Sequence, residues 1–541
     1  MANGDLAIHA SRGVTARPRL LRAALSVSLL CLAAVADASA AELRVGLSAE
    51  TTSLYPNWFV TTGNQQIASH IFDNLVEMDA NSIPQPGLAE SWSPVDDHTW
   101  EFRLRHNVKF HDGTPFTADQ VLTTFDQSQT IEGVGASAGA YLRGKTYTKV
   151  DDYTVRIATT QPSPLLPNEM TVLYIYPRAA PVEQFNSGAA AIGTGPYKLH
   201  EWVKGGQIVL ERNPDYWGTA PDWDRVIFRV IGAGPTRIAA LLNDEVDMIN
   251  DVPPADISRL KTDPKLNVIM RPGERIMLLT LDSSRDVSPF VTDNDGKPAF
   301  PNPLRDGRVR TAITKAINRD ALAQRLMDGV AVAAGQMASP GMFGHDPNIK
   351  PEPFDLDGAK KLLAAAGYAD GFHLTLHSPN DRYVNDAETA QAIGAMLSRI
   401  GIKTEVVAQP WQVFAGQQMG GGERGVPAYS ATLYGFGTAT GETMSQHWML
   451  LHTPNKQLAL GHANVGGYSN LRLDAYLDEA MRTMDAARRE KMLWDIDRGY
   501  MNDVALVPLF WQVNAWATRK GLTYEPRIMN VTQAMSVHTA K

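Results

Sequence analysis

Cysteine is almost absent from this chain of 541 residues, which contains a single one, Cys31. Cys31 lies within an apolar segment of the first forty residues, where we read it as a small hydrophobic side chain. If that segment is a removable targeting peptide, the remaining chain has no cysteine. The composition then excludes a disulfide-stapled scaffold and any enzyme that depends on a thiol.

Long apolar runs are also missing after the first forty residues. No later segment offers the roughly 18 consecutive apolar residues that a membrane-spanning helix needs. The first forty residues read as a signal peptide, because four arginines precede the apolar stretch Ala23–Ala36 and the small residues Ala38-Ser39-Ala40 follow it. No two of these arginines are adjacent. We therefore expect export by the general secretory route, with cleavage near Ala40.

Runs of basic residues are absent as well, and the formal net charge is −8. An acidic chain without a basic patch argues against binding to nucleic acid. The sequence has no H-E-x-x-H motif and no EF-hand loop, so we expect neither a metal nor another cofactor. About 500 residues remain after the signal peptide, which is too many for one hydrophobic core and predicts two or three domains.

Three short motifs suggest chemistry, but their context is wrong. Gly139–Thr146 matches the G-x-x-x-x-G-K-[ST] phosphate loop, yet strand-like residues follow it instead of a helix. Gly135–Gly139 matches the G-x-S-x-G nucleophile motif without a strand in front of it. His373 and His377 share one face of a predicted strand, but no third metal ligand is evident, and an ordinary pair at a strand end is the alternative. We expect no catalytic residue and no metal site.

The most informative stretch of the chain is Pro86–Val121. Within it Trp100, Phe102 and Leu104 alternate with charged residues, which is typical of a half-buried strand. A glycine-containing turn follows, and Thr117 then stands where the N-cap of a helix is expected. The stretch therefore predicts strand, turn, strand, tight turn and helix.

This stretch resembles the family 5 solute-binding proteins of ABC importers, which are the oligopeptide, dipeptide and nickel receptors. Gln120 alone departs from the family pattern, in which aspartate is usual at this position. Ile192–Trp217 resembles the family's second signature and Asp306–Arg319 its third. Four apolar residues of the third signature fall on one predicted helix face: Val309, Ile313, Ala316 and Ile317. The resemblance covers essentially all of the chain after the signal peptide.

The resemblance implies an α/β fold, namely the two-lobed periplasmic binding protein fold of type II, with mixed sheets flanked by helices and an extra β-rich subdomain. Lobe I would combine residues 41–76, 191–275 and 504–541. The β-rich subdomain would be inserted at 77–190, and lobe II would span 276–503. In such proteins the ligand lies between two lobes that close like a hinge.

The function implied by the resemblance is that of the periplasmic substrate-binding component of an ABC importer. It would capture a small solute, by default a peptide or a peptide-like molecule, and deliver it to an inner-membrane permease with a cytoplasmic ATPase. We expect a monomer that is not an enzyme. An opine, a glycoside, or a nickel or haem chelate are the alternative ligands, and an exported hydrolase is the alternative class.

The family places an extended ligand beside an exposed strand, a mode that gives affinity without sequence choice. The matching segment is Tyr429–Gly437. Four of its residues would face the ligand: Tyr434, Gly435, Phe436 and Gly437. In peptide receptors the aspartate of a following G-W-x-x-D pattern takes the ligand's ammonium group. Ala439 occupies that position here, and Glu442 is the nearest acid.

Aromatic and basic residues complete the candidate site that the resemblance implies. Arg382-Tyr383 lies where the dipeptide receptors carry an arginine for the ligand carboxylate, a role that suits a forked guanidinium; a surface arginine is the alternative. Trp411 stands where the family often presents an aromatic wall, with core packing as the alternative. Tyr55 and Trp58, after the first predicted strand, are similar candidates.

Overall fold

The structure of the protein is a computed structural model that describes residues 41–58, 60–131, 137–422, 426–458 and 460–540. Its strands differ greatly in length. The predicted signal peptide, residues 1–40, lies outside the described residues, as does part of the Gly135–Gly139 motif. Within the described ranges, no helix is both long enough and apolar enough to cross a membrane.

The strands of the described residues are, in chain order, β1 (Glu42–Leu47), β2 (Val76–Met78), β3 (Pro84–Pro86), β4 (Ala89–Asp96), β5 (Thr99–Leu104), β6 (Lys145–Asp151), β7 (Thr154–Thr159), β8 (Tyr197–Val203), β9 (Gln207–Arg212), β10 (Arg225–Val230), β11 (Met248–Ile249), β12 (Leu266–Leu281), β13 (Val291–Thr292), β14 (Ala331–Ala333), β15 (Phe372–Pro379), β16 (Ile402–Gln409), β17 (Ala431–Phe436), β18 (Val507–Arg519), β19 (Leu522–Tyr524) and β20 (Val537–Thr539).

The α-helices of the same residues are α1 (Thr62–Ile71), α2 (Ala118–Gln129), α3 (Leu166–Glu169), α4 (Val182–Asn186), α5 (Gly234–Leu242), α6 (Pro254–Lys261), α7 (Gly307–Ala316), α8 (Arg319–Ala321), α9 (Leu356–Ala365), α10 (Asp386–Ser398), α11 (Trp411–Gly416), α12 (Met444–Leu450), α13 (Leu471–Ala480) and α14 (Ala486–Asn502).

One mixed sheet runs through the whole molecule. Its strand order is β13-β15-β17-β12-β18-β11-β1-β10-β9-β8, and β14 and β16 pair with β18 and β15 beside this path. The long strands β12 and β18 lie in the middle and pair antiparallel from Leu266 opposite Arg519 to Leu279 opposite Val507. One half of the sheet continues from β12 through β17 and the other from β18 through β11, so this central pair joins the two halves.

The pairing of β12 with β18 is interrupted by a bulge. Pro272 lies opposite Val513 and Ile276 opposite Trp511, so the three residues Gly273-Glu274-Arg275 face a single residue of β18. Bulges bend a strand and turn side chains in new directions. This bulge lies where β12 passes from one half of the sheet to the other.

Helices cover both faces of the β17–β15 half of the sheet. Alternate residues of β12 point to opposite faces, with Leu279 in a core formed with α7, α9 and α10 and Leu278 in a core formed with α13 and α14. The predicted apolar face of α7 is confirmed for Val309, Ile313 and Ala316, which are fully buried in the first of these cores. Ile317 is buried in the same core but lies just beyond the end of the helix, with extended backbone.

A separate four-stranded antiparallel sheet, in the order β4-β5-β7-β6, packs against α2. The predicted N-cap is confirmed, because the Thr117 hydroxyl accepts a hydrogen bond from the backbone N–H of Asp119. Gln120 closes a capping box, since its Oε1 accepts the Thr117 backbone N–H at 2.9 Å. The residue that departs from the family pattern therefore satisfies a donor at the start of this helix.

The motif Gly139–Thr146 is followed by strand β6 and not by a helix, so the geometry of a phosphate loop is absent there. The boundaries drawn for the two lobes stay predictions. What the structure adds is that β18 pairs with β11 as well as with β12 between Leu266 and Leu279. The segment 504–541 thus contacts both halves of the sheet.

Gly193, in the second family signature, lies where no side chain fits. A Cβ atom built there would lie 2.0 Å from the carbonyl oxygen of Ile71, at the end of α1. We expect Gly193→Ala to destabilise the protein by about 1–3 kcal/mol, because the backbone must shift to relieve the overlap. Urea unfolding followed by circular dichroism measures the change.

Gly416→Ala is the matched control for this substitution. Gly416 lies at the end of helix α11, is exposed, and has no heavy atom within 4 Å of a built Cβ. Alanine there should stabilise by up to about 1 kcal/mol, because it favours the helix. A Gly193→Ala protein as stable as the wild type would contradict the close approach of residues 71 and 193.

Candidate functional site

A cavity of about 770 Å³ opens between the end of α1, the bulge in β12 and the segment that follows β17. Its volume is in the range of pockets that hold a small ligand. Residues from distant parts of the chain form its wall, among them Asp73, Glu77, Trp217, Glu274, Arg275 and Arg527. Acidic, basic and aromatic side chains therefore meet in one concave site.

Two acids on the α1 side of the cavity have raised pKa values. The carboxylate of Asp73 accepts hydrogen bonds from Thr194 Oγ1 and Trp217 Nε1, both at 2.7 Å, and burial still raises its pKa to about 6. Burial, and then the charge of Asp73, raise the pKa of Glu77 to about 8, against the opposing charge of Arg527. Glu77 thus holds its proton at neutral pH.

An aromatic pair lines the same wall. The rings of Tyr216 and Trp217 have centroids 5.3 Å apart, and the guanidinium of Arg105 lies 4.6 Å from the centroid of the Trp217 ring. The second family signature ends in these two aromatic residues. From the sequence, Tyr216 and Trp217 were identified only as part of that signature, and their place in the cavity wall was not predicted.

Four of the predicted site residues come together around Tyr383. Its hydroxyl donates to the carbonyl oxygen of Gly435 at 2.9 Å, and its ring meets Trp411 edge-on at 6.1 Å. The guanidinium of Arg382 lies 5.2 Å from the centroid of the Trp411 ring. On the other side, the guanidinium of Arg275 lies 5.9 Å from the centroid of the Tyr383 ring. This group therefore adjoins the cavity through Arg275.

Strand β17 is less open than an exposed ligand-binding strand. It pairs with β12 along its length, and with β15 at Ala431 and Thr432. Tyr434 is buried, and its hydroxyl donates to the carbonyl oxygen of Ala463 at 3.3 Å. Phe436 packs on the hydrophobic core that contains Tyr434, α13 and α14, whereas Gly437 lines the cavity.

The Tyr434 side chain therefore packs inside the protein, and its predicted contact with a ligand stays a prediction. Beyond Thr432, the β15-side edge of β17 has no strand partner among the described residues, and the Tyr383 hydroxyl bonds to this edge at Gly435.

Three further predicted site residues pack inside the protein, and their roles at a ligand stay predictions. Tyr55 is 3% exposed and stacks on Phe185 with centroids 4.5 Å apart, and Trp58 packs against the same core. The carboxylate of Glu442 is buried and pairs with Arg489 at 3.3 Å. Glu442 thus already has a cationic partner inside the protein.

The sequence analysis missed several residues of the cavity wall: Asp73, Glu77, Glu274, Arg275 and Arg527. None belongs to a short motif with recognisable chemistry. For Glu274 and Arg275 a weak signal existed, because two charged residues directly precede the apolar run Ile276–Leu279 of a buried strand. Their grouping depends on chain segments more than 190 residues apart, which no local pattern reveals.

A metal site finds no support in the part of the chain that the structure describes, where no three His, Cys, Asp or Glu side chains cluster in a way that could hold an ion. His377 stacks on Tyr429 with ring centroids 3.9 Å apart, and burial lowers its pKa to about 4. It therefore behaves as a neutral packing residue.

A mixed sheet whose halves share two long strands, with a polar cavity where the halves meet, defines a binding protein of two lobes. The family model for "Bacterial extracellular solute-binding proteins, family 5 Middle" matches residues 84–457, well over half of the chain. The chain belongs to this family of solute-binding proteins, which is a family of receptors and not of enzymes.

Individual relatives agree with this assignment. The dipeptide-binding protein of Escherichia coli K12 is 28% identical over 424 residues, covering 72% of this chain and 75% of that protein. Heme-binding protein A of Haemophilus influenzae is 26% identical over 460 residues, covering 79% and 78%.

A solved structure confirms the predicted fold class. The ABC transporter-associated periplasmic binding protein of Helicobacter pylori, in complex with the peptide STSA, matches with a TM-score of 0.74 and 23% identity, covering 92% of this chain and 98% of that chain.

The raised pKa of Glu77 makes stability depend on pH. Between its ordinary pKa of 4.5 and about 8, the folded protein keeps a proton that the unfolded chain releases, so this contribution to stability is lost as the pH rises. We expect the free energy of unfolding of Glu77→Gln, relative to that of the wild type, to increase as the pH rises from 5 to 9. The increase should be at most about 1.4 kcal/mol per pH unit. Urea unfolding at several pH values measures the difference.

Glu90→Gln is the control, because Glu90 is an exposed glutamate on β4 outside the cavity. Its stability curve should run parallel to that of the wild type. If the Glu77→Gln curve is parallel as well, Glu77 does not retain its proton in the folded protein.

Proposed function

We propose that this protein is the substrate-binding component of an ABC importer and that it captures a peptide or a peptide-like solute in the cavity beside the β12 bulge. The observation that carries the proposal is the polar cavity at the junction of the two halves of the sheet, in a chain that belongs to a solute-binding family. Such a site suits reversible capture, since it offers charges and aromatic faces that can hold a small solute.

Peptide chemistry fits the charges of the wall. Glu274 and Arg275 bring one acidic and one basic side chain to the cavity, and the guanidinium of Arg382 lies near the ring of Tyr383. A zwitterionic solute presents an ammonium and a carboxylate, which complement charges of both signs. The names of two similar proteins, one that binds dipeptides and one found with a bound peptide, support the same class of ligand.

The partners and the location follow from this role. The first forty residues would direct export by the secretory route, with cleavage near Ala40, and the protein would work in the periplasm as a monomer. It would deliver its solute to an inner-membrane permease driven by a cytoplasmic ATPase. The similar protein of known structure is described as periplasmic and transporter-associated, which supports this place of action.

Ligand binding should close the two lobes and stabilise the protein. The probe is a pool of di- and tripeptides. For a peptide present at 100 times its dissociation constant, mass action adds about 2.7 kcal/mol to the free energy of unfolding. The melting temperature should rise, and the radius of gyration from solution X-ray scattering should fall. Haem and a nickel–histidine complex serve as comparison solutes.

Mass spectrometry of solutes that co-purify from the native host is the independent check. A melting temperature that responds to haem or to nickel–histidine but not to the peptide pool would overturn the peptide assignment. Tight binding with unchanged scattering would overturn lobe closure.

Arg275 and Arg382 should differ in their effect on an anionic ligand group. Arg275 lines the cavity, so Arg275→Gln should weaken peptide binding by about 1.5–3 kcal/mol, the range for hydrogen bonds to charged groups. Arg382 is exposed beside Trp411, so Arg382→Gln should cost less than about 1 kcal/mol. Calorimetry with one bound peptide measures both.

The same peptide with an amidated carboxyl terminus is the control for these variants. Its weaker binding should be indifferent to Arg275→Gln. If Arg382→Gln has the larger effect on the free carboxylate, the role first expected for Arg382 is restored and Arg275 is a bystander.

A further inference from the structure

Glu274 is a carboxylate in an unusual position. It lies in the bulge of β12, is 8% exposed, and lines the cavity. Its Oε1 lies only 2.9 Å from where a Cβ of Gly437 would be, so the carboxylate is pressed against the backbone that follows β17. Burying an ionised carboxylate is costly unless a cation or several hydrogen bonds compensate.

Among the described residues, Glu274 has no ion pair and no side-chain hydrogen bond. Apart from its own backbone amide and the charge of the neighbouring Arg275, no group favours its ionised form, and burial raises its pKa. Arg275 forms no ion pair with it and lies instead toward the ring of Tyr383. The other buried acids of the molecule differ, since Glu442 pairs with Arg489 and Asp73 accepts two hydrogen bonds.

We propose that Glu274 is the partner of the ligand's cationic group, so that the cavity recognises solutes that carry a free ammonium. This inference rests on the proposed function and names the chemical class within it. A bound ammonium would give the buried carboxylate the charge-assisted hydrogen bonds that the protein itself does not supply. The ligand would thereby complete an ion pair of which the protein holds one half.

The neighbouring wall supports the choice of Glu274 over other acids. Ala439 lines the same cavity two residues beyond Gly437, so this position of the loop after β17 supplies no carboxylate. Glu442, three residues further on, is occupied by Arg489. Glu77 keeps its proton at neutral pH and offers a neutral acid. Glu274 is the acid of this wall that lies beside the loop and lacks a partner among the described residues.

The test compares free and acetylated peptides on the mature protein. One probe is a pool of lysine-free di- and tripeptides, and the other is the same pool after acetylation of its amino groups, which removes the positive charge and leaves the carboxylates. The melting temperature reports binding of each pool. The most strongly retained peptide is then identified by mass spectrometry and titrated by calorimetry in its free and acetylated forms.

The wild type should bind the free peptide much more tightly than the acetylated one. In Glu274→Gln the free peptide should bind about 10- to 100-fold more weakly, while the acetylated peptide should be almost unaffected, so the preference is lost. The variant should fold normally, because it replaces a buried, unpaired charge with a neutral group of similar size. Urea unfolding verifies this.

Two further variants make the result specific. Glu405→Gln removes a charge from an exposed position on β16 outside the cavity and should keep the wild-type preference. A double variant that combines Glu274→Gln with Ala439→Asp returns a carboxylate to the same wall. It should recover part of the preference for the free amine, which a purely structural role of Glu274 would not allow.

The outcomes separate the two proposals. If the wild type binds free and acetylated peptides equally, or if Glu274→Gln keeps the preference, the assignment of Glu274 is overturned and the peptide-binding function stands. If neither pool binds to the wild type, the peptide-binding function is overturned and the assignment of Glu274 falls with it.

Discussion

The antiparallel pairing of β12 with β18 is the interaction on which the rest of the protein depends. The pair lies at the centre of the sheet, with β17 on one side and β11 on the other. Both halves of the molecule are built outward from it, and the larger of the two irregularities in its ladder, at Gly273-Glu274-Arg275, lies at the cavity. The same bulge that bends the central strand thus delivers two charged residues to the binding site, where an unbroken strand would alternate its side chains between the faces.

Much of the local structure could be predicted from sequence, because it rests on short-range rules. Thr117 was identified as an N-cap by its residue type and place, and the single apolar face of α7 by its spacing. The same rules also contain the role of Gln120, because Thr117-x-x-Gln120 fits the capping-box pattern of serine or threonine followed three residues later by glutamate or glutamine. The family comparison had presented Gln120 only as a departure, so this role was overlooked. The overall fold class came from long signatures and not from composition.

The binding site was less accessible to sequence reasoning, for a physical reason. Whether a side chain faces a ligand depends on what else has come to lie beside it. Glu442 forms an ion pair with Arg489, which is 47 residues further along the chain, and Tyr55 stacks on the ring of Phe185. Tyr383 and Gly435 were both predicted to belong to the binding site, but the hydrogen bond between them was not predicted. Glu274 is defined by the lack of a partner, a property that exists only once the chain has folded.

The last residues of the chain bind to the first elements of the fold. The backbone N–H of Ala534 donates to His70 of α1, 464 positions earlier, and the indole of Trp223 donates to the carbonyl oxygen of Val537. Closing so large a loop costs conformational entropy, so these contacts are favourable only when the segments between them have folded. The part of the sheet that is synthesised first therefore becomes complete only when β18 and the residues behind it have joined it.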